Sequence, residues 1–222
     1  MAEDRIDYSM AHDESILQAI EVVEEFLRKK HRLCYGGQAI NAHLPDSHKI
    51  YDPNYTIPDY DFFTPSQEAD IQDLVLALKK AGFMEISAKE GMHEGTIKIY
   101  VEYVPVADIT AMDSRLYRVL AKREFRKEGI SYLDVNTLRM LMYLELSRPK
   151  GEVARWPKVY ERLMLLNHYV AVDSCHSKGD TLFHDVLTFE QAQFTLDFIL
   201  KNKRIFAGGD VVEFYRQVTK KG

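Results

Sequence analysis

The sequence predicts an α+β fold, in which a mixed β-sheet domain with flanking helices is followed by a helical region. Two observations support this prediction. In the first half of the chain, short apolar or alternating runs are separated by turn residues, which is typical of strands between helices. From Asp113 onward, apolar residues recur mainly at three- and four-residue steps, which is typical of amphipathic helices. We therefore expect a sheet domain at residues 1–112 and a helical region at 113–203.

The individual elements follow from the same patterns. A first helix is expected at 15–30, where apolar side chains form a stripe and Asp13 or Ser15 can cap the start. The other elements of the first half are a strand at 31–35, a short helix at 38–44, a loop at 46–54, a strand at 55–64, a helix at 65–80, and strands at 83–88 and 96–110. Pro105 should bend the last strand or place it at a sheet edge. Further helices are expected at 114–127, 134–146, 157–168 and 189–201.

Composition and charge exclude several classes of protein. The 222 residues are 46% hydrophobic and 28% charged, which is typical of a globular protein and not of a disordered one. No apolar run approaches the roughly 18 residues that cross a bilayer, so we expect no membrane partner. The net charge of −5 means that a polyanion would have to bind a local basic patch. Two cysteines cannot form a disulfide framework, which favours a reducing compartment.

Three aspartates are the first candidates for chemistry. Asp59 and Asp61 are two residues apart on a predicted strand, so their carboxylates should project from one face, about 6–7 Å apart. Such a pair repels unless a cation lies between its members, and oxygen ligands suit Mg²⁺ or Mn²⁺. Asp108 adds a third acid within the apolar run 104–109. The alternatives are a solvated strand edge for the pair and a helix N-cap for Asp108.

A glycine pair is the second candidate. Gly36 and Gly37 separate a predicted strand from a short helix, and without Cβ atoms their backbone could approach a phosphate closely. The free N–H groups of the helix that starts near Gln38 would face the anion. A plain strand-to-helix turn is the alternative. Together with the three aspartates, the turn fits two-metal nucleotidyl transfer, in which it would hold the β- and γ-phosphates.

These residues resemble a known signature. Gly36-Gly37, Asp59-Tyr60-Asp61-Phe62 and Asp108 are similar to the motif of the DNA polymerase β-type nucleotidyltransferase superfamily. The segments 93–96, 106–110, 143–149 and 155–163 resemble, more narrowly, the catalytic subunit of poly(A) polymerases of large nucleocytoplasmic DNA viruses. The similarity extends from about residue 31 to 167. It implies that residues 1–112 are a nucleotidyltransferase catalytic domain.

The resemblance implies the transfer of AMP from ATP to an RNA 3′ end. It implies that Asp59, Asp61 and Asp108 hold Mg²⁺ or Mn²⁺ and that Gly36 and Gly37 hold the triphosphate. It also implies a location in the host cytoplasm or the virion, and a homodimer or a processivity subunit is a further partner to be considered. Two alternatives stay open: a nucleotidyltransferase that acts on tRNA, protein or a small molecule, and a non-catalytic subunit that binds nucleotide or RNA.

One segment departs from the superfamily pattern. Twenty-one residues separate Gly37 from Asp59, which is more than the compact pattern has. The loop from Asp46 to Ile57 is therefore an insertion, and the sequence does not show its purpose.

Two sets of basic residues are candidates for phosphate contacts. Arg115, Arg118, Lys122 and Arg126 recur at three- and four-residue steps and would form one helix face, either an RNA-binding ridge near Asp108 or a solvated surface. Arg155, Lys158 and Arg162 share a second helix face, from which they could reach nucleotide phosphates, with Lys158 as the candidate for nucleotide binding.

The end of the chain contains an apparent repeat. A shift of 172 positions aligns Gly36-Gly37 with Gly208-Gly209, together with apolar and basic residues that precede them. Since the resembled enzymes carry a second, inactive nucleotidyltransferase-like domain, residues 204–222 are interpreted as its opening. Chance similarity is the alternative.

Overall fold

We describe the protein from a computed structural model that covers residues 11–52, 54–91, 93–148 and 152–171, and residues 194, 197, 198 and 200–202 beyond them. Residues 1–173 form one compact unit and residues 174–222 form another. In the second unit, the described residues at 194, 197, 198, 200 and 201 are helical. Most of the helix predicted at 189–201, and the whole repeat at 204–222, lie outside the described residues. No helix in the described part of the chain is long and apolar enough to span a membrane.

The first unit alternates helices and strands. Its helices are α1 (Glu14–Lys30), α2 (Gly36–His43), α3 (Gln67–Lys80), α4 (Ser114–Ala121), α5 (Val135–Leu146) and α6 (Trp156–Tyr169), with single 3₁₀ turns at Asp46–His48 and Val153–Arg155. Its strands are β1 (Leu33–Tyr35), β2 (Tyr60–Thr64), β3 (Ile86–Glu90), β4 (Thr96–Val101), β5 (Val104–Ala111), β6 (Phe125–Lys127) and β7 (Ile130–Tyr132).

The seven strands form one mixed sheet. Their order is β3-β4-β5-β2-β1-β7-β6, so β5 and β2 lie at its centre. The pairs β2–β5 and β1–β7 are parallel, and the other neighbours are antiparallel. The sheet therefore has both parallel and antiparallel neighbours, as predicted for a mixed sheet of an α+β fold.

Part of the hydrophobic core, which also includes the buried residues of α2, α5 and α6, lies on the sheet face that α1 and α3 cover. Alternate residues of β2 are buried there, and the Phe62 ring lies 5.9 Å from that of Phe26 on α1. The hydroxyl of Tyr60 donates a hydrogen bond to Glu24 on the same helix. Because side chains alternate along a strand, Asp61 and Phe63 project from the opposite face. The burial of β2 therefore determines which face of the sheet carries the acid.

A buried ion pair fixes α3 against the sheet. The Asp70 carboxylate accepts two hydrogen bonds from the Arg32 guanidinium, at 2.7 and 3.0 Å, and a third from the Thr64 hydroxyl. Its side chain is only 1% exposed, and a charge so buried is tolerated because it is paired. The network connects α3 to Arg32, just before β1, and to Thr64, at the end of β2.

The strand predicted at 96–110 and the end of the helix predicted at 114–127 are both part of hairpins in the structure. The single strand predicted at 96–110 is divided between β4 and β5 by a turn in which Glu102 and Tyr103 both have positive φ. Such turns match the twist of antiparallel strands. Pro105 lies opposite Tyr100 at an irregularity in the β4–β5 ladder, beyond the last residue that pairs with β2. The proline therefore does not place β5 at a sheet edge.

The helix predicted at 114–127 ends at Ala121. The chain continues as the β6–β7 hairpin, whose turn has positive φ at Glu128 and Gly129. Strand β7 pairs in parallel with β1 and buries Ile130, which a continued helix would not achieve. The expectation that every element after residue 113 is helical was therefore wrong. The domain boundaries at 1–112, 113–203 and 204–222 stay a prediction.

Candidate active site

A row of polar side chains crosses the open face of the sheet. Lys98, Asp108, Asp61 and Tyr35 are directly opposed on β4, β5, β2 and β1, respectively. Residues in register on neighbouring strands point to the same face, so these four side chains are adjacent. Two of the three predicted carboxylates are thus brought together at the centre of the sheet.

Asp59 immediately precedes β2 and is not part of that strand. The predicted start of the strand was wrong, because β2 begins at Tyr60, five residues later than expected. Asp59 is half-buried, and its charge raises the pKa of Asp61. The two carboxylates therefore interact electrostatically, as expected from the sequence.

The carboxylates form an excess of negative charge. Burial raises the pKa of Asp61 to about 7, and the charges of Asp59 and Asp108 contribute in the same direction. The cations of Lys98 and Arg155 oppose this shift. A group that is disfavoured as an anion in this way would be stabilised by an added cation.

Lys98 is a site residue that sequence reasoning missed. Its Nζ lies 2.7 Å from Oδ1 of Asp108, and the two side chains are 22% and 17% exposed. Burial by itself lowers the pKa of Lys98, but the hydrogen bond to Asp108 and the charges of all three aspartates together raise it. The sequence feature that could have indicated this residue is a lysine among the apolar residues of β4.

The donor set suits a divalent cation. Carboxylate oxygens that repel one another are the ligands that Mg²⁺ and Mn²⁺ prefer. Among the described residues, however, no three acidic, histidine or cysteine side chains are grouped closely enough to hold one ion. Asp108 is paired with Lys98 instead. Asp59, Asp61 and Asp108 thus fit a metal in chemistry and charge, and binding would require side-chain movement.

Gly36 lies against the carboxylate of Asp61. The glycine has φ +68°, and a Cβ atom there would lie 2.2 Å from Oδ2 of Asp61. Both the backbone conformation and the lack of space exclude a side chain at this position. The predicted glycine turn and the predicted acid are therefore in direct contact.

Gly37 lies beneath a residue of the inserted loop. A Cβ atom at Gly37 would lie 1.9 Å from the hydroxyl oxygen of Tyr51. Arg162 on α6 donates a hydrogen bond of 2.8 Å to that hydroxyl, and its guanidinium carbon lies 5.6 Å from the ring centre. Gln38 follows, half-buried, in the first turn of α2.

Cations at the start of α6 lie near the acids. The charge of Arg162 lowers the pKa of Lys158, with burial and Arg155 contributing, while the charge of Asp59 opposes the shift. Arg155 also lies 3.0 Å from Nε2 of His93, in the loop between β3 and β4. The structure thus brings these three basic residues together beside the carboxylates.

The predicted basic helix face is only partly formed. Arg115, Arg118 and Lys122 are exposed and surround Val119 in a shallow depression on α4. Arg126 lies on β6, where it pairs with Glu124 at 2.7 Å. Placing Arg126 on this face was wrong because α4 ends before it.

Comparisons with known proteins identify relatives among viral enzymes. A protein assigned as a poly(A) polymerase catalytic subunit in Acanthamoeba polyphaga mimivirus is 32% identical over 160 residues, which are 69% of this chain and 27% of the relative. A protein with the same assignment in African swine fever virus is 28% identical over 194 residues, 85% of this chain and 39% of the relative.

A solved structure confirms the predicted fold class. The crystal structure of the Megavirus polyadenylate synthase matches with a TM-score of 0.68 at 23% identity, over 74% of this chain and 34% of that chain. This chain thus spans between about a quarter and two fifths of the length of these relatives. The family model of the poly(A) polymerase catalytic subunit matches residues 21–152, more than half of the chain. The protein therefore belongs to the family of poly(A) polymerase catalytic subunits.

Proposed function

We propose that this chain provides the nucleotidyl-transfer site of a poly(A) polymerase, which adds AMP from ATP to RNA 3′ ends. The observation that carries the proposal is the contact between Gly36 and Asp61, because it joins an anion-binding type of turn to the paired carboxylates. Family membership supports ATP as the nucleotide and RNA as the acceptor.

The triphosphate is proposed to lie between the glycine turn and α6. Gly36, Gly37 and the N–H of Gln38 face it from the start of α2, where a helix N-terminus favours anions. Lys158 faces it from the other side, with a pKa that is lowered because neighbouring cations crowd it. A negative ligand would relieve that crowding, as it would neutralise charge that is now uncompensated.

The reaction is a displacement at the α-phosphorus. The RNA 3′ oxygen forms a bond to this atom while the bond to the bridging oxygen of the β-phosphate breaks and pyrophosphate leaves. Asp108 is the proposed general base, or the ligand through which the hydroxyl is activated, and Lys98 holds its carboxylate in place. Mg²⁺ or Mn²⁺, held by Asp59, Asp61 and Asp108, would lower the pKa of the attacking hydroxyl and neutralise phosphate charge.

The acceptor distinguishes this proposal from its rivals. The chain is incubated with Mg²⁺ or Mn²⁺, each nucleoside triphosphate in turn, and oligo(A), oligo(U), a tRNA and a carrier protein as acceptors. We expect extension of the single-stranded RNAs with ATP. Labelling of the tRNA or the protein alone would overturn RNA as the substrate, and micromolar ATP binding without pyrophosphate release would favour a binding subunit.

The exposed face of α4 is proposed to bind RNA phosphates. Gln replacements at Arg115, Arg118 and Lys122 should weaken RNA binding about equally for every sequence. The slope of log K against log salt should become shallower by roughly 0.7 per lost contact, or about 2 for all three. Fluorescence anisotropy of labelled oligo(A) between low and high salt measures this slope.

A matched control uses three lysines elsewhere on the surface. Lys29, Lys79 and Lys80 are exposed at the C-terminal ends of α1 and α3 and are not part of the α4 face. Their triple Gln variant carries the same change in net charge and should leave the slope unchanged. Equal slopes in the two triple variants would assign the α4 face to solvent.

Location in the host cytoplasm or virion, and assembly as a homodimer or with a processivity subunit, are proposed from the family relationship alone.

A further inference from the structure

We propose that Tyr51 is a positioning residue for nucleotide binding: its hydroxyl orients Arg162 beside the Gly36-Gly37 turn. The inference rests on the proposed function and adds two residues to it. It also assigns a purpose to the inserted loop between Gly37 and Asp59, which is to carry this tyrosine to the turn.

The loop is anchored before it reaches the turn. Nζ of Lys49 contacts the backbone carbonyl oxygens of Asn41 at 2.6 Å and Leu44 at 2.9 Å, at the C-terminal end of α2. The backbone N–H of Ile50 donates to Oδ1 of Asn41 at 2.9 Å. A cation at this position is favoured, because the C-terminal end of a helix carries partial negative charge on its carbonyl groups. The residues directly before Tyr51 are therefore held to the helix that begins with the glycine pair.

Tyr51 fills the space that a side chain at position 37 would occupy. Its hydroxyl oxygen would lie within 1.9 Å of a Cβ atom on Gly37, so the absence of that atom makes the contact fit. Burial raises the pKa of Tyr51, so the hydroxyl keeps its proton and accepts the Arg162 hydrogen bond through a lone pair. The tyrosine thus joins the turn to α6.

Arg162 needs such an anchor because its neighbours repel it. The charge of Arg162 is the main cause of the lowered pKa of Lys158, which shows how close the two cations are. Within the described residues, no carboxylate forms an ion pair with Arg162, whereas Arg155 pairs with Glu145 and Glu152. An unanchored arginine would turn toward solvent to reduce this repulsion. A guanidinium that is held beside the turn and forms no ion pair with the described residues is suited to an anionic ligand such as a triphosphate.

The test is a double-mutant cycle on ATP affinity. Tyr51→Phe removes only the hydroxyl and should weaken the binding of Mg²⁺-ATP about tenfold to 100-fold, the effect of one lost hydrogen bond to a charged group. RNA affinity and melting temperature should stay unchanged. In an Arg162→Met background, Tyr51→Phe should add no further loss, because its effect acts through the arginine. Tyr103→Phe, in the exposed turn between β4 and β5, is the matched control.

The possible results distinguish a positioning role for Tyr51 from a structural role and from failure of the proposed function. Unchanged ATP affinity in Tyr51→Phe, or equal losses in both backgrounds, would overturn the positioning role. A lower melting temperature with additive losses would identify a structural residue and would overturn it as well. If the wild-type chain does not bind Mg²⁺-ATP at all, the proposed function fails first, and this result is distinguishable from the failure of the tyrosine alone.

Discussion

Replacing Asp61 with Asn is expected to abolish nucleotide transfer while it stabilises the metal-free protein at pH 8. The carboxylate is central among the three acids, and its loss removes the proposed link between Asp59 and Asp108. A decrease of at least about 1,000-fold in transfer is expected for a group that contributes several kcal/mol to transition-state stabilisation. Single-turnover assays with saturating ATP and metal measure the loss.

The stability gain has a defined dependence on pH. The pKa of Asp61 is about 7 in the fold, compared with a usual value of 3.8, so the folded state holds the proton more strongly than the unfolded state does. Below about pH 4 the group is protonated in both states, and no difference is expected. Between about pH 4 and pH 7 the folded protein loses about 2–4 kcal/mol of stability, and above pH 7 this loss, which Asn should restore, is constant.

Urea unfolding at pH 4 and pH 8 in the presence of a chelator tests this expectation. The control is Glu85→Gln, a change of the same kind at an exposed residue outside the site, which should be neutral at both values of pH. If Asp61→Asn destabilises the protein at pH 8, the negative charge at the site is not in excess.

Gly36→Ala is expected to have the second largest effect. The new methyl group would lie 2.2 Å from Oδ2 of Asp61, at a backbone angle of +68° that costs an alanine about 1–2 kcal/mol. The collision should move the carboxylate and reduce transfer by about 100-fold, as expected when a catalytic group is displaced by about an ångström. Activity and urea unfolding of the variant measure the two consequences.

A glycine with similar geometry separates collision from strain. Gly95 has φ +75°, and a Cβ atom there would meet nothing within 4 Å. Gly95→Ala should therefore show the conformational cost and retain most activity. In an Asp61→Ala background, Gly36→Ala should cost less stability than in the wild type, because the colliding carboxylate is absent. An undiminished cost would show that Asp61 is not the cause.

The sequence predicted the elements whose patterns are local. A strand was correctly predicted to carry Asp61, and a short helix was predicted at 38–44, where the structure has α2 begin two residues earlier, with the glycine pair itself. The two hairpins were missed because non-glycine residues with positive φ, Glu102 and Glu128 among them, form their turns. Their conformation is imposed by the pairing of the strands, which no local pattern records.

The site residues that the sequence analysis did not identify are brought to the site by contacts between elements that are distant in the chain. Lys98 is opposite Asp108 only because β4 and β5 form a hairpin, so the ion pair could not be predicted from a single long strand. Tyr51 and Arg162 are 111 residues apart and meet at Gly37 through the packing of α6 against the first half of the chain. The sequence suggested a phosphate contact for Arg162, but neither Lys98 nor Tyr51 was singled out.

The position of the phosphate label in ATP tests nucleotidyl transfer most directly. The chain is incubated with oligo(A), Mg²⁺ or Mn²⁺, and ATP that is radiolabelled at either the α- or the γ-phosphate. We expect that label from the α-position enters the RNA, that label from the γ-position leaves in pyrophosphate, and that Asp61→Asn abolishes both. Transfer of γ-label to the RNA, or α-label incorporation that survives in Asp61→Asn, would contradict the central claim.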